Sequence, residues 1–127
     1  MKALLSIKPE FADKIFSGEK LFEFRKTGFR QAIQAIVVYA TMPVGKIIGE
    51  FEVEAVLADE PKRLWEYTKE YAGIPYSSFE EYFSGRAVAY AIKVKRARRY
   101  AIACDPYVEW DNFFPPQSFR YLKPDTP

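Results

Sequence analysis

The sequence predicts an α+β domain, a mostly antiparallel β-barrel with an N-terminal helix and a two-helix insertion. Two long segments alternate apolar and polar side chains, which is typical of half-buried strands in an antiparallel sheet or barrel. Three short segments instead carry apolar residues at helical spacing between proline and glycine stops. The 127 residues contain no repeat and no linker-like stretch. We therefore predict one domain over residues 1–127, in which residues 123–127 form a flexible tail.

The first three elements are a strand, a helix and a second strand. Residues 3–8 are expected to form a strand that stops before Pro9, because proline drives the preceding residue to extended geometry. Pro9 suits the first turn of a helix, and Gly18 closes that helix. The second strand then covers residues 20–26.

The middle of the chain predicts two further strands. Residues 33–40 are apolar on both faces, as in a central strand. Residues 47–57 alternate instead, and the alternation divides them between two faces. The apolar face comprises Ile47, Gly49, Phe51, Val53, Ala55 and Leu57, and the polar face comprises Glu50, Glu52 and Glu54.

The second half of the chain predicts two helices, a strand and a returning tail. The helices cover residues 61–71 and 77–83, and a long strand covers residues 87–99. The inner face of that strand is expected to hold Val88, Tyr90, Ile92 and Val94. The final segment contains the run PPQSFRYL, which we expect to fold back onto the body of the domain.

The composition excludes several classes of site. The chain has no histidine, so the commonest general base and zinc ligand are missing, and it has a single cysteine, Cys104. It also lacks a glycine-rich phosphate loop and a dinucleotide fingerprint. We predict no metal and no cofactor. No apolar run has the length of a membrane span, and the first residues are too soon interrupted for a signal peptide, so we expect a cytoplasmic protein with no membrane partner.

Charge divides the chain into three parts. An acidic middle, residues 50–82, lies between two basic flanks, and the second flank contains five basic residues within residues 93–99. This run is either a solvated strand end or a surface that contacts a polyanion. In the second case an electrostatic approach path would consist of Lys93, Lys95, Arg96 and Arg98.

The candidate site residues are ambiguous from the pattern alone. Alternation in the second strand places Glu23 and Arg25 on the face opposite Phe22 and Phe24. The two charged residues are either an exposed ion pair or part of a partly desolvated cavity. Lys8, just before a helix start, is either a surface lysine or a contact for an anionic ligand near the helix end.

These residues together resemble the ASCH domain family. The resemblance rests on the segments LLSIKPEFADKIFSGEKLFEFRK, VVYATMPVGKIIGEFEVEAV, GRAVAYAIKV and PPQSFRYL, and it covers nearly the whole chain. Its most specific parts are the SIKP start and a G-x-K-x-x-E-x-R run formed by Gly18, Lys20, Glu23 and Arg25. The resemblance is to compact prokaryotic members that are often labelled predicted transcriptional regulators.

The resemblance implies a PUA-like β-barrel with a cleft between the barrel and its N-terminal helix. In such a cleft the G-x-K-x-x-E-x-R run faces inward and contacts RNA or a nucleotide-like ligand, more readily than duplex DNA. Arg25 and Lys8 would hold phosphate or a base edge, and Glu23 would orient Arg25 and accept from a base amino group. The remaining ligand-binding candidates are Lys20, Tyr39, Thr41, Ser118, Phe119 and, with less support, Tyr121, although on pattern alone Tyr39 is a core residue and Thr41 a turn residue.

An enzymatic alternative also follows from the resemblance. One branch of the family contains small amidohydrolases that deacetylate N4-acetylcytidine with a lysine, a threonine and a glutamate. Lys20 matches the lysine, but Glu23 stands at the threonine position, and Glu70 is the nearest match for the glutamate. A different hydrolysis or an RNA-cleaving activity, with Lys20 and Glu23 as catalytic residues, stays open.

Overall fold

Six β-strands form one sheet, and the computed structural model describes residues 1–124. The strands are β1 (Lys2–Ile7), β2 (Phe22–Arg25), β3 (Ala35–Ala40), β4 (Lys46–Asp59), β5 (Ala89–Cys104) and β6 (Phe119–Leu122). Their order across the sheet is β2-β5-β4-β3-β1-β6. β1 and β3 run parallel, and every other neighbouring pair is antiparallel. Part of the predicted tail, residues 125–127, lies outside the described residues.

The helices agree with the sequence prediction and add one. They are α1 (Pro9–Ser17), α2 (Pro61–Thr68), α3 (Tyr76–Tyr82) and α4 (Pro106–Glu109), and a 3-10 turn at Lys69–Tyr71 extends α2. Gly18 ends α1 in the left-handed region, with φ of 88°. The short α4 was not predicted; the Asp105 side chain caps it by accepting from the backbone N–H of Tyr107. None of the helices in residues 1–124 is long and apolar enough to cross a membrane.

The predicted mostly antiparallel β-barrel is confirmed in part, because the sheet curls into a half-barrel that does not close. β2 pairs only with β5, and β6 pairs only with β1, so both remain edge strands in the described part of the chain. Side chains and loops connect these edges instead of a backbone ladder. Arg25 of β2 donates to the carbonyl oxygen of Ser118, and the rings of Phe29 and Phe119 lie 4.8 Å apart.

The two faces of the sheet pack against different parts of the chain. The inner face, defined by Leu5, Val38, Phe51 and Ile92, packs against α1 in the main core. The outer face is covered near β2 by α2 and α3, and near β1 and β3 by the segment that contains Trp110. Charged side chains cover the outer face between these two clusters.

Register irregularities overturn the predicted single apolar face of β4. Ile47 packs on the outer face with Trp110, Phe51 lies on the inner face, and Leu57 packs on the outer face again. The pairing of β4 with β5 shifts register at three places between Ile47 and Ala55. Such irregularities interrupt strict alternation, and along β4 the face of these side chains changes twice, since Val53 still packs with Phe51 on the inner face. The inner-face prediction for β5 holds for Ile92 and Val94, but Val88 is exposed and precedes the strand.

Candidate functional site

Strand β2 is buried on both of its faces. Phe22 and Phe24 face the helical insertion, where Phe24 lies edge-on to Phe79 at a centroid distance of 5.0 Å. Glu23 lies opposite Ile92 on the inner face and is only 6% exposed. The alternative of an exposed Glu23–Arg25 pair is therefore wrong. Alternation could not reveal this, because the helices that cover the phenylalanine face come from a distant part of the chain.

Lys20 is enclosed just before β2. Its Nζ donates to the carbonyl oxygen of Ala72 at 2.6 Å and lies 5.5 Å from the Phe11 ring centroid and 4.8 Å from that of Phe24. The side chain is 1% exposed. Gly73 packs against the lysine stem, since a Cβ on Gly73 would lie 2.6 Å from Lys20 Cγ. Lys20 is therefore a buried cation held by a carbonyl and two aromatic faces.

Burial moves Lys20 and Glu23 toward their neutral forms. It lowers the pKa of Lys20 to about 8, with Glu23 opposing this shift and Lys14 adding to it. It raises the pKa of Glu23, although the positive charges of Lys20 and Arg25 oppose the rise. Desolvation dominates both shifts. The pKa of each group therefore lies nearer to neutral pH than that of an exposed group of the same kind.

Arg25 lies on the inner side of Lys20 and Glu23, and we call these three residues the inner cluster. Its Nη1 lies 3.3 Å from Glu23 Oε2, and its Nη2 donates to the carbonyl oxygen of Ser118 at 2.7 Å. The Arg25 side chain is 13% exposed. Arg25 thus connects the buried carboxylate of Glu23 to the segment that leads into β6 at the opposite edge of the sheet.

Lys8, Thr41 and Phe119 lie around this cluster. Lys8 is exposed, and its Nζ is 6.0 Å from the centroid of Phe11, the ring that also contacts Lys20. The Thr41 backbone N–H donates to the carbonyl oxygen of Ile7, the residue before Lys8. Phe119 is half-buried between the rings of Phe29 and Tyr121. Lys8 therefore shares the Phe11 ring with Lys20, while Thr41 is linked to this region only through the backbone beside Lys8.

Tyr39 does not join them. It lies on the outer face, is 1% exposed, and its hydroxyl is 2.7 Å from that of Tyr107. Burial and the neighbouring hydroxyl raise its pKa. Tyr39 is therefore a core residue, as its pattern alone suggested, and its predicted place in the inner cleft is wrong.

Sequence reasoning also missed three residues that lie beside the inner cluster. They are Lys14, which donates to the carbonyl oxygen of Gly73 at 3.0 Å, Gly73 itself, and Tyr82. Tyr82 is 37% exposed beside the charges of Arg25 and Glu23, and its ring contacts the ammonium of Lys26. Of these three, only Gly73 could have been recognised from the sequence, because it is a glycine between two predicted helices. Glu70, the loose third match of the enzymatic alternative, is exposed in the 3-10 turn.

The basic run of β5 is neutralised by the acidic strand beside it. Lys93 pairs with Glu54 at 2.8 Å, Arg96 with Glu52 at 3.0 Å and Arg98 with Glu50 at 3.4 Å. These pairs lie on the outer face, opposite the side of Glu23. The predicted approach path to the inner cluster is therefore wrong. Lys95 is exposed on the same strand.

These surface pairs are expected to contribute little to stability. Replacing Glu52 with glutamine leaves the exposed Arg96 without its carboxylate, and the free energy of unfolding should change by less than about 1 kcal/mol. Urea unfolding of the variant and the native chain measures the difference. Glu66→Gln, which breaks the exposed pair with Lys69, is the matched control. A loss above about 2 kcal/mol in Glu52→Gln alone would contradict this expectation.

Within residues 1–124, no three histidine, cysteine, aspartate or glutamate side chains are grouped so that they could hold a metal ion. The inner cluster instead offers an enclosed acid, two cations and aromatic faces. These side chains can recognise polar groups of a ligand through charge-assisted hydrogen bonds. Lys20 and Glu23, whose pKa values are shifted, can also transfer a proton.

The half-barrel, with one helix on its inner face and a helical insertion at one end, defines an α+β domain of the PUA-like type. The chain belongs to the ASCH domain family, whose sequence profile matches residues 5–98. An ASCH domain-containing ribonuclease of Zymomonas mobilis is 35% identical to this chain and aligns over 96% of it and 84% of the relative.

Solved structures agree with this assignment. The crystal structure of ASCH from Zymomonas mobilis superposes with a TM-score of 0.89 at 31% sequence identity, over 97% of this chain and 88% of the other. The N-terminal domain of Staphylothermus marinus McrB shares the fold alone, with a TM-score of 0.58 at 14% identity.

The large ribosomal subunit protein uL22 of Ureaplasma parvum is 29% identical over 94% of this chain, which spans only 39% of that protein. The predicted function, binding of RNA or of a nucleotide-like ligand, agrees with the ribonuclease relative.

Proposed function

We propose that this domain binds single-stranded RNA, or a nucleotide-like ligand, at the inner cluster of Lys20, Glu23 and Arg25. The observation that carries this proposal is the buried Glu23–Arg25 pair, which is held behind one hydrogen bond to Ser118. An acid and a guanidinium removed from water recognise polar groups strongly, since any ligand that replaces their partners must offer matching donors and acceptors.

Each residue of the cluster has a distinct chemical task. Arg25 presents a planar fork that suits a phosphate or the edge of a base, once it leaves Ser118. Glu23 accepts from a base amino group when ionised, and its raised pKa also gives it a protonated form that donates. Lys8 adds an exposed positive charge near Phe11. Phe29 and Phe119 supply aromatic surface at the sheet edge.

The enclosure of the cluster favours a flexible ligand over a duplex. Glu23 is 6% exposed and Lys20 is 1% exposed, so only a group that can leave its stack and enter the protein reaches them. Bases of single-stranded RNA do this readily, whereas a stiff duplex keeps its bases stacked. Duplex DNA is for this reason the weaker candidate.

Binding of a fluorescent single-stranded RNA, compared with duplex DNA of the same sequence, tests this proposal. Arg25→Ala should weaken RNA binding about tenfold, because it removes a charge-assisted contact of about 1.4 kcal/mol. Arg25→Lys, the matched control, keeps the charge but loses the fork, and we expect an intermediate affinity. Equal affinity of all three proteins would contradict the inner site. Circular dichroism shows whether each variant is folded.

A second candidate function is cleavage of RNA or hydrolysis of a modified nucleoside, with Lys20 and Glu23 as catalytic residues. The specific observations that favour it are the ribonuclease relative and the pKa of Lys20, about 8, which gives a partly neutral amine near physiological pH. Lys20→Arg keeps the charge but removes this titration. Product that accumulates with the native chain and not with Lys20→Arg would support catalysis. Intact RNA together with an unchanged modified nucleoside, such as N4-acetylcytidine, in both reactions would exclude it.

We also propose a cytoplasmic location, as the composition led us to expect. We do not propose transcriptional regulation, because neither the fold nor the relatives bear on it.

A further inference from the structure

A cavity of about 600 Å³ lies on the outer face, away from the inner cluster. Its walls are apolar and aromatic, formed chiefly by Val37, Ile47, Tyr100, Trp110 and Leu122. Cys104 also lines it. Nothing in the proposed function uses this cavity, and a space of this size is within the range of small-ligand sites.

Two lysine side chains line the cavity. Lys2 and Lys123 belong to the lining, and none of the lining residues in the described chain carries a carboxylate. Three acids lie just outside the lining: Glu50 is paired with both Lys2 and Arg98, and Glu109 and Asp105 lie beside the Cys104 thiol. Glu50 also accepts from the Tyr100 hydroxyl at 2.8 Å, which fixes the orientation of that ring.

Both aromatic walls also have a cation over them. The guanidinium of Arg98 lies 5.3 Å from the centroid of Tyr100, and that of Arg120 lies 5.4 Å from the centroid of Trp110. Two fixed rings with positive charge around them suit a planar ring that carries an anionic group. A purely apolar ligand would not use these cations.

Trp110 adds an unsatisfied donor at the same place. The residue is 8% exposed, and its indole Nε1 lies beside the Cys104 thiol but has no hydrogen-bond partner of ordinary geometry in residues 1–124. A buried N–H without an acceptor destabilises the protein and needs an explanation. A ring with carbonyl or nitrogen acceptors that enters beside the indole offers the missing partner after a small shift.

We propose that this outer cavity is a second nucleotide-binding site, in which the base lies against Tyr100 and Trp110 and the phosphate meets Lys2 and Lys123. The choice of a nucleotide over other aromatic anions rests on the proposed RNA-binding function. The site would hold one nucleotide of the strand, or a free nucleoside monophosphate, on the face opposite the inner cluster.

Fluorescence of Trp110 tests this directly. The chain has two tryptophans, and Trp65 packs against Tyr76 and Phe79 in the insertion, so Trp65→Phe leaves Trp110 as the only indole. Titration of this variant with adenosine 5′-monophosphate should quench Trp110 with a saturable curve. Adenosine should bind several-fold more weakly, and ribose 5-phosphate, which has no base, should not quench. Absence of quenching at millimolar nucleotide, or equal quenching by ribose 5-phosphate, would overturn the proposal.

Cys104 provides a second readout that needs no substitution. It is the only cysteine of the chain and lines the cavity, so bound nucleotide should slow its alkylation by iodoacetamide at least fivefold. Burial raises the pKa of its thiol to about 11, so the reaction is best run near pH 9. An unchanged alkylation rate at a nucleotide concentration that quenches Trp110 would contradict binding inside the cavity.

Two variants separate this site from the inner one. Lys2→Ala combined with Lys123→Ala changes exposed side chains, and it should weaken adenosine 5′-monophosphate about tenfold without changing adenosine affinity. Arg25→Ala should leave Trp110 quenching unchanged; loss of quenching there would overturn a separate outer site. If Trp110 responds to the nucleotide while native protein binds no RNA strand, the outer site stands and RNA binding at the inner cluster fails.

Discussion

Replacing Gly73 with alanine is expected to lower the free energy of unfolding by about 3 kcal/mol. Gly73 has φ of 70°, a left-handed conformation that costs an L-residue with a side chain about 1–2 kcal/mol. The new methyl would also lie 2.6 Å from Cγ and 2.7 Å from Cβ of Lys20, and such overpacking costs about 1–3 kcal/mol more. Urea unfolding followed by circular dichroism measures the loss.

Gly85 provides the matched control for this prediction. It has φ of 77°, nearly the same backbone conformation, but a Cβ there would meet nothing within 4 Å. Gly85→Ala should therefore show the backbone cost alone, about 1 kcal/mol. Equal losses in the two variants would mean that the contact between Gly73 and Lys20 is unimportant. A larger loss in Gly73→Ala measures the steric cost of crowding the enclosed Lys20 side chain.

The elements that sequence reasoning located well are those whose ends depend on local chemistry. Pro9 and Gly18 bound α1 as predicted, because the missing N–H of proline and the positive φ of glycine act within one turn. β3, buried along its whole length, is also where its continuous apolar run placed it. The return of the PPQSFRYL run is confirmed as well, since β6 pairs with β1.

Sequence reasoning failed where the decisive partner is distant in the chain. Alternation correctly put Glu23 and Phe24 on opposite faces of β2, but it could not show that α3 buries one face and α1 the other. In β4 the register shifts interrupt the alternation. Gly49 lies beside the first of them, but no glycine or proline in the sequence marks the other two. Periodicity gives the relative direction of neighbouring side chains, and tertiary packing decides which direction is buried.

Charge patterning failed for the same reason. The basic run of β5 and the acidic residues of β4 were recognised separately, about forty residues apart, yet they are cross-strand partners. The like charges of each strand are tolerated because the other strand neutralises them. When one predicted strand carries a run of basic residues and another carries acidic residues, the pattern favours pairing of the two strands over a polyanion-binding site.

The burial of the candidate residues was predicted best where a family pattern supplied the missing packing. The G-x-K-x-x-E-x-R run turned Lys20, Glu23 and Arg25 inward, and the structure buries all three side chains largely or fully. Tyr39 shows the limit of the same reasoning, since its strand ends beside the inner side while its ring points to the outer face. The enclosure of Lys20 also makes a prediction about pH.

The free energy of unfolding should rise with pH between pH 7 and 9.5 because of Lys20. Its pKa is about 8 in the folded protein, against 10.5 in the unfolded chain. Between these values the unfolded state binds more protons, so the folded state gains stability as pH rises. Below pH 8 the ammonium is charged in both states, and the full desolvation penalty applies. The gain over this window is about 2 kcal/mol.

Glu23 requires the control to remove both charges. Its raised pKa acts in the opposite sense, since stability present below its unfolded pKa is lost as pH rises through the folded value. We therefore compare the native chain with a Lys20→Met, Glu23→Gln double variant, in which neither group titrates. Tyr39 and Tyr100, whose pKa values burial raises, lose stability only at higher pH and do so in both proteins. Urea unfolding at half-unit steps should show the stabilities of the two proteins diverging above pH 8. Parallel curves would mean that Lys20 is solvated in solution, which would leave the inner cluster without its enclosed cation and remove the basis for Lys20 as a catalytic base.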